Sequence, residues 1–227
     1  EGFQNLYLQH VQAQLWVDKT ARNIHRVGYI LESFPNAKFI HMLRDGRDCV
    51  TSLLTHRKRK VVNGQLVPTG YQMPLEHCIN RWNRAINDVL AYRQHPRYYE
   101  LRYEDLIQNT RQELIKVSEF IGVEFEDAML DFHTVQTPSR DARKFPQNLE
   151  ATQAKYSSQV SRWKRDLNSS QVKQITSSLQ ENLENMGYLP RKGALLVNGH
   201  LVDQIIAQNP QYAKQATLQA LEIHYTG

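Results

Sequence analysis

The sequence is poor in cysteine and contains no long apolar run. Its two cysteines, Cys49 and Cys78, are too few for a disulfide framework, and each has apolar neighbours on a predicted helix. We therefore expect free, buried thiols and a reducing, cytoplasmic compartment. No apolar stretch reaches the roughly 20 residues of a membrane-spanning helix, and the first residues lack the pattern of a secretory signal. These absences predict a globular protein that does not insert into a membrane.

The chain is long enough for globular cores and carries an excess of positive charge. It has 227 residues, 41% of them hydrophobic, with a net charge of +5 and a pI near 9.2. This composition argues against wholesale disorder and fits one large or two small cores. The excess charge suits an anionic ligand, and the basic run His56–Lys60 keeps nucleic-acid binding as a competing hypothesis. Against that hypothesis, the run has no interleaved aromatic residues that could stack on bases.

Alternating helical and strand patterns predict an α/β fold. Helices are expected over 3–14, 23–34, 48–58, 74–94, 110–121 and 169–186, and strands over 15–17, 38–43 and 98–102. The first two strands and the helix between them would form a β-α-β unit with a right-handed crossover. The stretch Val61–Gly70 predicts a hairpin or flap. The expected architecture is a parallel sheet flanked by helices.

The turn that begins at Arg44 is the most informative feature of the sequence. A predicted strand leads into it, and Ser52 follows eight residues after Arg44, about two helical turns further along. Arginine binds phosphate bidentately, and a serine hydroxyl with the backbone N–H groups of a helix start would complete such a site. Taken alone, the turn also fits a solvated group of mutually paired charges formed by Arg44, Asp45, Arg47 and Asp48.

Five blocks of residues extend the pattern over most of the chain. They are V-D-K-T-A-R-N (17–23), F-P-N-A-K-F-I-H-M-L-R-D-G-R-D-C-V-T-S (34–52), R-W-N-R-A-I (81–86), L-R-Y-E-D-L (101–106) and the weaker S-R-W-K (161–164). In their order and spacing the chain resembles sulfotransferases that use 3′-phosphoadenosine 5′-phosphosulfate (PAPS), and most of all tyrosylprotein sulfotransferases and their bacterial relatives. The resemblance implies a P-loop-type sulfotransferase fold, PAPS as donor and no metal.

The resemblance also assigns most of the donor site. Arg44 and Ser52 match the positions that bind the 3′-phosphate, and Tyr103 matches a tyrosine that contacts the adenine region. Strand ends are where open α/β sheets place their ligands, which suits Tyr103. Arg162 aligns with a basic residue that reaches the donor from a late loop. A core tyrosine and a surface arginine leaning along a tryptophan are the simpler alternatives for these two residues.

Two further donor contacts are implied less directly. Tyrosylprotein sulfotransferases carry another cation for the 3′-phosphate at a position that falls on His56 or Arg57, and Arg57 is the better donor. Ser139, within T-P-S-R, is a further candidate contact. A surface turn is the stronger alternative for that serine.

Lys19 is the candidate for the chemistry itself, because it matches the family lysine in D-K-T. Sulfuryl transfer resembles phosphoryl transfer in building charge on the bridging oxygen of the leaving phosphate, so electrostatic stabilisation and positioning are the main tasks. An ammonium group can stabilise that charge. The alternative is an exposed lysine paired with Asp18.

The general base is not visible in its family positions. Cytosolic sulfotransferases have a histidine where this chain has Ala21, and tyrosylprotein sulfotransferases use a glutamate upstream of all the matched residues. His77 is retained as a candidate base, with His133 and His56 as further candidates, because histidine accepts a hydroxyl proton near neutral pH. Each of these also fits an ordinary surface histidine.

The phosphosulfate loop of the family, of the type P-R-S-G-T-T, has no match in this sequence. We expect that loop and its strand upstream, with a separate piece or a degenerate protein as alternatives. The sulfotransferase domain is expected over 1–192, followed by a helical appendage or linker over 193–227. Arg191–Gly193 resembles the basic triplet that grips the 3′-phosphate in cytosolic sulfotransferases, but the residues that normally follow it are absent.

Three hypotheses about function remain open on the sequence. The first is an enzyme that sulfates an acceptor hydroxyl, such as that of an acyl chain on a carrier protein in a polyketide-type pathway, with fusion to further domains. The second is an enzyme that sulfates peptide tyrosine. Those enzymes act in the secretory pathway and have a cysteine where this chain has Val17, so we rank this hypothesis lower. The third is a nonenzymatic module that binds nucleotides or nucleic acid.

Overall fold

The computed structural model describes residues 9–10, 12–13, 15–55, 59–62, 65–134, 159–190, 196–197 and 200–201. The helices are α1 (Val27–Ser33), α2 (Gly46–Thr55), α3 (Leu75–Asn87), α4 (Tyr103–Gln108), α5 (Thr110–Ile121), α6 (Trp163–Asp166) and α7 (Ser169–Asn185). Turns of 3₁₀ helix cover Ala21–Arg26, Leu90–Tyr92 and Asp127–Thr134. The strands are β1 (Phe39–Leu43), β2 (Arg59–Val62), β3 (Gln65–Pro68), β4 (Tyr98–Arg102), β5 (Leu196–Val197) and β6 (His200–Leu201).

Strands β1 and β4 pair in parallel, in a register that sets Leu43 opposite Arg102. Their carboxyl ends therefore meet at one edge of the sheet, and α2 and α4 begin just beyond that edge. The predicted parallel sheet with flanking helices is confirmed. Strands β2 and β3 form an antiparallel hairpin, which confirms the hairpin interpretation of that region.

Two apolar clusters support this edge of the sheet. The larger joins the end of β1 to α2, α3 and α7, and its buried members are Leu43, Val50, Cys78, Ile79, Trp82, Ile86, Ile175, Leu179, Leu183 and Met186. The smaller joins α1 to β4 through Val27, Leu31, Val89 and Tyr98. Helix α2, which follows the turn at Arg44, is thus packed between α3 and α7 at its apolar face.

The segment 15–17 was predicted as a strand, and that prediction is wrong. Leu15–Thr20 has no regular secondary structure. Asp18 explains this locally, since its carboxylate accepts hydrogen bonds from Thr20 Oγ1 at 2.6 Å and Asn23 Nδ2 at 2.9 Å. Such short-range bonds from an aspartate stabilise a turn at the expense of a strand. The expected β-α-β unit therefore lacks its first strand among the described residues.

Other boundaries differ for identifiable reasons. The helix expected over 74–94 ends at Asn87, because the chain turns there and buries Val89 in the smaller cluster. Helix α4 is only six residues long, too short to give a helical period in the sequence. In contrast, β4 and α5 have the predicted bounds, and Gly122 ends α5 at φ 84°, a conformation that glycine adopts readily.

Some predictions lie outside the described residues. The helix expected over 3–14 is one of them, and so is most of the appendage expected over 193–227, of which only the short pair β5 and β6 is described. The basic triplet Arg191–Gly193 also lies outside. In the part of the chain that the structure describes, no helix combines the length and apolar character needed to cross a membrane.

Candidate functional site

Arg44 and Tyr103 meet at the carboxyl edge of the parallel sheet. Each residue directly follows one member of the last pair in the register, Leu43 and Arg102. The guanidinium carbon of Arg44 lies 4.8 Å from the centre of the Tyr103 ring. Stacking on an aromatic face holds the planar guanidinium in one orientation. The two residues predicted to contact the same ligand are therefore adjacent.

The Arg44 side chain is largely buried and only partly paired. It is 17% exposed, its Nη2 lies 3.7 Å from Asp48 Oδ2, and it donates a hydrogen bond to the backbone carbonyl of Gln159. Its Nε–H is buried and has no acceptor among the described residues. A buried donor without an acceptor costs roughly 1–3 kcal/mol. The guanidinium is thus held in place with hydrogen-bonding capacity still to be met.

The backbone of the turn is fixed by Trp82 on α3. The indole Nε1 donates to the carbonyl of Arg44 at 3.3 Å, and the ring lies against Gly46. A β-carbon at Gly46 would come within 2.7 Å of the indole ring, so glycine is required for this approach. The sequence blocks around Gly46 and Trp82 therefore pack against each other and together fix the backbone of the turn. The sequence did not reveal this contact.

The charges of the turn do pair with one another, as the simpler interpretation proposed, but they are buried. Arg47 forms an ion pair with Asp45 at 2.6 Å, and its guanidinium lies 4.3 Å from the Trp163 ring centre. The exposed fractions of Asp45 and Asp48 are 7% and 0%. A solvated turn is therefore wrong for this set of charges. The pairing neutralises Arg47 and Asp45 and leaves Arg44 facing Tyr103.

Glu104 links the turn to the end of α7. One of its carboxylate oxygens accepts the backbone N–H of Asp45 at 3.0 Å, and the other accepts the Tyr188 hydroxyl at 3.0 Å. Burial and the nearby Glu104 carboxylate both raise the pKa of the Tyr188 hydroxyl, so this tyrosine stays a neutral donor. The R-Y-E-D-L block thus supplies both the ring under Arg44 and a support for the turn.

One face of α2 is directed toward the segment 159–163. Asp48, Ser52 and Thr55 lie four and three residues apart, which places them on one side of a helix. Asp48 accepts the backbone N–H of Ser161 at 2.8 Å and that of Trp163 at 3.0 Å. Ser52 is half-buried and lies between Asp48 and Thr55 on this side of the helix.

Arg162 extends from the same segment to the far end of α2. Its guanidinium donates to Gln159 Oε1 at 2.8 Å, to Asp166 at 2.9 Å and to Thr55 Oγ1 at 3.3 Å. Gln159 also accepts from Arg44 through its backbone. The segment therefore connects the two predicted cations, with Ser52 on the helix face beside them.

Burial shifts the pKa of two side chains that follow Arg44, those of Asp48 and Cys49. Burial raises the pKa of Asp48, although the N–H groups of Trp163 and Ser161 and the charge of Arg44 oppose that shift. Burial also raises the pKa of the Cys49 thiol to about 12. Both cysteines are free, as predicted, with Cys78 buried and Cys49 only partly buried. At such a pKa Cys49 is a poor nucleophile.

The structure does not bring every predicted residue to this site. Lys19 is exposed in the irregular segment, and no contact among the described residues joins it to Arg44. Asp18 bonds to Thr20 and Asn23, and no ion pair to Lys19 is found within the described ranges. His77 is exposed on α3, and no contact among the described residues joins it to Lys19 or to the turn at Arg44.

The remaining candidates cannot be placed. Arg57, Ser139 and His56 lie outside the described residues, and so does the side chain of His133.

A cavity of about 470 Å³ opens between α6 and α7, lined by Trp163, Lys164, Leu167, Ser169, Val172, Lys173 and Thr176. None of the predicted site residues lines it.

A family model and curated relatives both match this chain, and they point to the same family. Residues 2–127 match the model of the sulfotransferase family. A protein-tyrosine sulfotransferase of Drosophila melanogaster is 33% identical over 106 residues, which are 45% of this chain and 20% of that protein. The omega-hydroxy-beta-dihydromenaquinone-9 sulfotransferase Stf3 of Mycobacterium tuberculosis is 30% identical over 108 residues, 46% of this chain and 28% of that protein. The matched part of the chain thus spans 20% and 28% of the length of these two curated relatives.

A solved structure has the same fold. A sulfotransferase domain from the curacin biosynthetic pathway aligns with a TM-score of 0.58, covering 79% of this chain and 67% of that one. The sequence identity is 20%, so the likeness concerns the fold alone. It confirms the predicted α/β sulfotransferase fold.

Proposed function

The chain belongs to the sulfotransferase family, and on that basis we propose that it takes part in moving the sulfuryl group of PAPS to an acceptor hydroxyl. Within this reaction the turn at Arg44 binds the 3′-phosphate of the donor. The observation that carries the proposal is the buried guanidinium of Arg44, stacked on Tyr103, whose Nε–H lacks an acceptor among the described residues. A phosphate oxygen would supply that acceptor at a charge-assisted hydrogen bond.

Each remaining residue has a distinct role in this proposal. The hydroxyl of Ser52 donates to the same phosphate from the side of α2 that is directed toward the segment 159–163. Tyr103 contacts the adenine region from the end of β4. Arg162 adds positive charge from the segment that already bonds to Thr55. No metal is required, because the phosphate charge is met by guanidinium groups and hydroxyls.

Lys19 is proposed to stabilise the bridging oxygen of the leaving phosphate. An ammonium group directed at charge that develops in the transition state lowers the barrier without changing the ground state greatly. We therefore expect Lys19→Ala to lower turnover far more than donor affinity. His77, exposed on α3, is the proposed general base, and no contact among the described residues joins it to Lys19.

The acceptor is proposed to be the hydroxyl of a lipid-like or carrier-bound acyl chain in a polyketide-type pathway. Two comparisons support this class: the mycobacterial relative is named for an omega-hydroxy menaquinone, and the neighbour in fold comes from curacin biosynthesis. Peptide tyrosine is the second candidate, favoured by the names of the protein-tyrosine relatives. The free thiols of Cys49 and Cys78 fit the first candidate and a cytoplasmic protein.

Thermal unfolding tests the donor site directly. We expect 3′-phosphoadenosine 5′-phosphate (PAP) to raise the melting temperature, because a ligand that binds only the folded state stabilises it. Arg44→Ala should abolish the shift. The matched control is Arg84→Ala, since the Arg84 side chain is 76% exposed and its ion pair with Asp88 is long, at 3.9 Å. A shift with DNA and none with PAP would instead favour the nucleic-acid module.

A further inference from the structure

Asp48 is a buried carboxylate that the proposed function does not yet use. It is fully buried, and it lies on α2 between Arg44 and the segment 159–163. Its two oxygens have separate partners: Oδ2 accepts the N–H of Ser161 at 2.8 Å, and Oδ1 accepts the N–H of Trp163 at 3.0 Å. The same Oδ2 lies 3.7 Å from Arg44 Nη2. One carboxylate therefore contacts both halves of the cationic site.

The two N–H groups flank Arg162 on either side. Ser161 has φ 56°, a left-handed conformation that is uncommon for a residue with a side chain. Such a conformation persists only where surrounding contacts impose it. The bonds to Asp48 on both sides of Arg162 supply that constraint, and they turn the Arg162 side chain toward Thr55 and Gln159.

We propose that Asp48 is a positioning residue for the 3′-phosphate site: it fixes Arg44 and, through the backbone of Ser161 and Trp163, sets Arg162 beside Ser52. This inference rests on the proposed function, because it names what the buried anion does for PAPS binding. Asp48 touches no ligand in this scheme. It acts by holding the guanidinium groups of Arg44 and Arg162 near one phosphate position. Without the carboxylate, the two positive charges would repel each other and separate.

The substitution Asp48→Asn separates these effects with little change in size. An amide has a single acceptor oxygen, so one of the two N–H groups would face an NH₂ group and lose its bond. Arg44 would also lose its anionic neighbour. We expect the affinity for PAP to fall about tenfold and the affinity for AMP to change less than twofold, because AMP lacks the 3′-phosphate.

The ratio of PAP to AMP affinity distinguishes positioning from a structural role. A merely structural defect lowers the folded fraction and weakens both ligands alike, which leaves the ratio unchanged. The ratio would be measured by calorimetry on wild type, Asp48→Asn, Arg162→Ala and the double variant. If Asp48 acts through Arg162, the double variant should lose less than the product of the two single losses. Independent losses or an unchanged ratio would overturn the inference.

A measurement on the wild-type chain covers the case in which Asp48→Asn does not fold. The amides of Ser161 and Trp163 should exchange slowly with solvent deuterium, and more slowly still at saturating PAP. Rapid exchange of both amides in both states would overturn the inference. If wild type binds PAP no better than AMP, the proposed function itself fails. If wild type discriminates and Asp48→Asn discriminates equally, only the role of Asp48 fails.

Discussion

The turn at Arg44 and the segment Leu15–Thr20 each carry a cation assigned to the same donor, yet they are built differently. Arg44 is 17% exposed and is held by a ring, a carboxylate and a backbone carbonyl. Lys19 lies in an irregular segment whose neighbour Val17 is 88% exposed. The first cation is positioned by the described residues before any ligand arrives. The second is not, so its contribution should appear in turnover and only weakly in donor binding.

Removing the Arg44 guanidinium should have the largest effect on donor binding. Arg44→Ala deletes a bidentate, charge-assisted contact, and we expect the affinity for PAP to fall about 100-fold. Isothermal calorimetry measures this directly. Arg84→Ala, an exposed arginine on α3, should change the affinity less than twofold. Equal losses in both variants would show that general charge, and not the turn, attracts the ligand.

The strands beneath the turn should make stability depend on pH. His41 on β1 is buried, and its Nδ1 lies 2.8 Å from the Tyr98 hydroxyl. Burial lowers the pKa of His41 to about 4, with the nearby Arg93 acting in the same direction and Glu100 opposing it. Between that pKa and the ordinary 6.5 the unfolded chain binds more protons, so stability rises with pH. We expect a loss of about 2 kcal/mol in unfolding free energy from pH 7.5 to 5.

Urea unfolding at both pH values checks this expectation. His41→Asn lacks the titrating ring and should show a smaller difference between the two pH values. A wild-type stability that is flat over the window would contradict the burial of a neutral imidazole. Asp18 in the Leu15–Thr20 segment titrates below this pH window, because hydrogen bonds from the side chains of Thr20 and Asn23 lower the pKa of its carboxylate.

A substitution at Gly46 in the turn should lower the free energy of unfolding more than one at Val17 in the exposed segment. A β-carbon at Gly46 would lie 2.7 Å from the Trp82 ring, so Gly46→Ala should cost about 1.5 kcal/mol of unfolding free energy and weaken PAP binding. Val17→Ala in the exposed segment should stay within about 0.5 kcal/mol of wild type. Chemical unfolding followed by calorimetry gives both values. Equal costs at the two positions would mean that the exposed segment is packed as tightly as the turn.

Lys19 should have the smallest effect on donor affinity. Lys19→Ala leaves every contact of Arg44 in place, so we expect the affinity for PAP to fall by about threefold or less while turnover falls about 100-fold. Calorimetry with PAP and release of PAP from PAPS measure the two quantities. A loss of affinity as large as that of Arg44→Ala would assign Lys19 to binding and remove the contrast.

The sequence predicted that Arg44 and Tyr103 each follow a strand and contact the same donor, and the parallel pairing of β1 with β4 places the two side chains in contact at one edge of the sheet. It also predicted β4 and α5 at their observed bounds, where apolar period and capping glycine agree. It did not reveal the part played by Asp48, whose partners Ser161 and Trp163 are 113 and 115 residues away. Nothing local marks such contacts. Likewise, nothing in the R-W-N-R-A-I block indicates that Trp82 packs against Gly46.

The strand predicted at 15–17 is wrong because a local pattern was followed where a distant partner strand was needed. Its apolar residues fit a short strand, but strands need a partner, and the side-chain bonds of Asp18 favour a local turn instead. The same sequence similarity that marked Lys19 therefore identified a residue without fixing its surroundings. Similarity located both cations, whereas burial and hydrogen bonding distinguish the one that is already positioned.

Calorimetric titration with PAP against AMP tests the central claim most directly, because the two nucleotides differ only by the 3′-phosphate. If the turn at Arg44 is the 3′-phosphate site, PAP should bind about 100-fold more tightly than AMP, and Arg44→Ala should reduce that preference to nearly nothing. Binding of the two nucleotides within a factor of two of each other by the wild-type chain would contradict the claim.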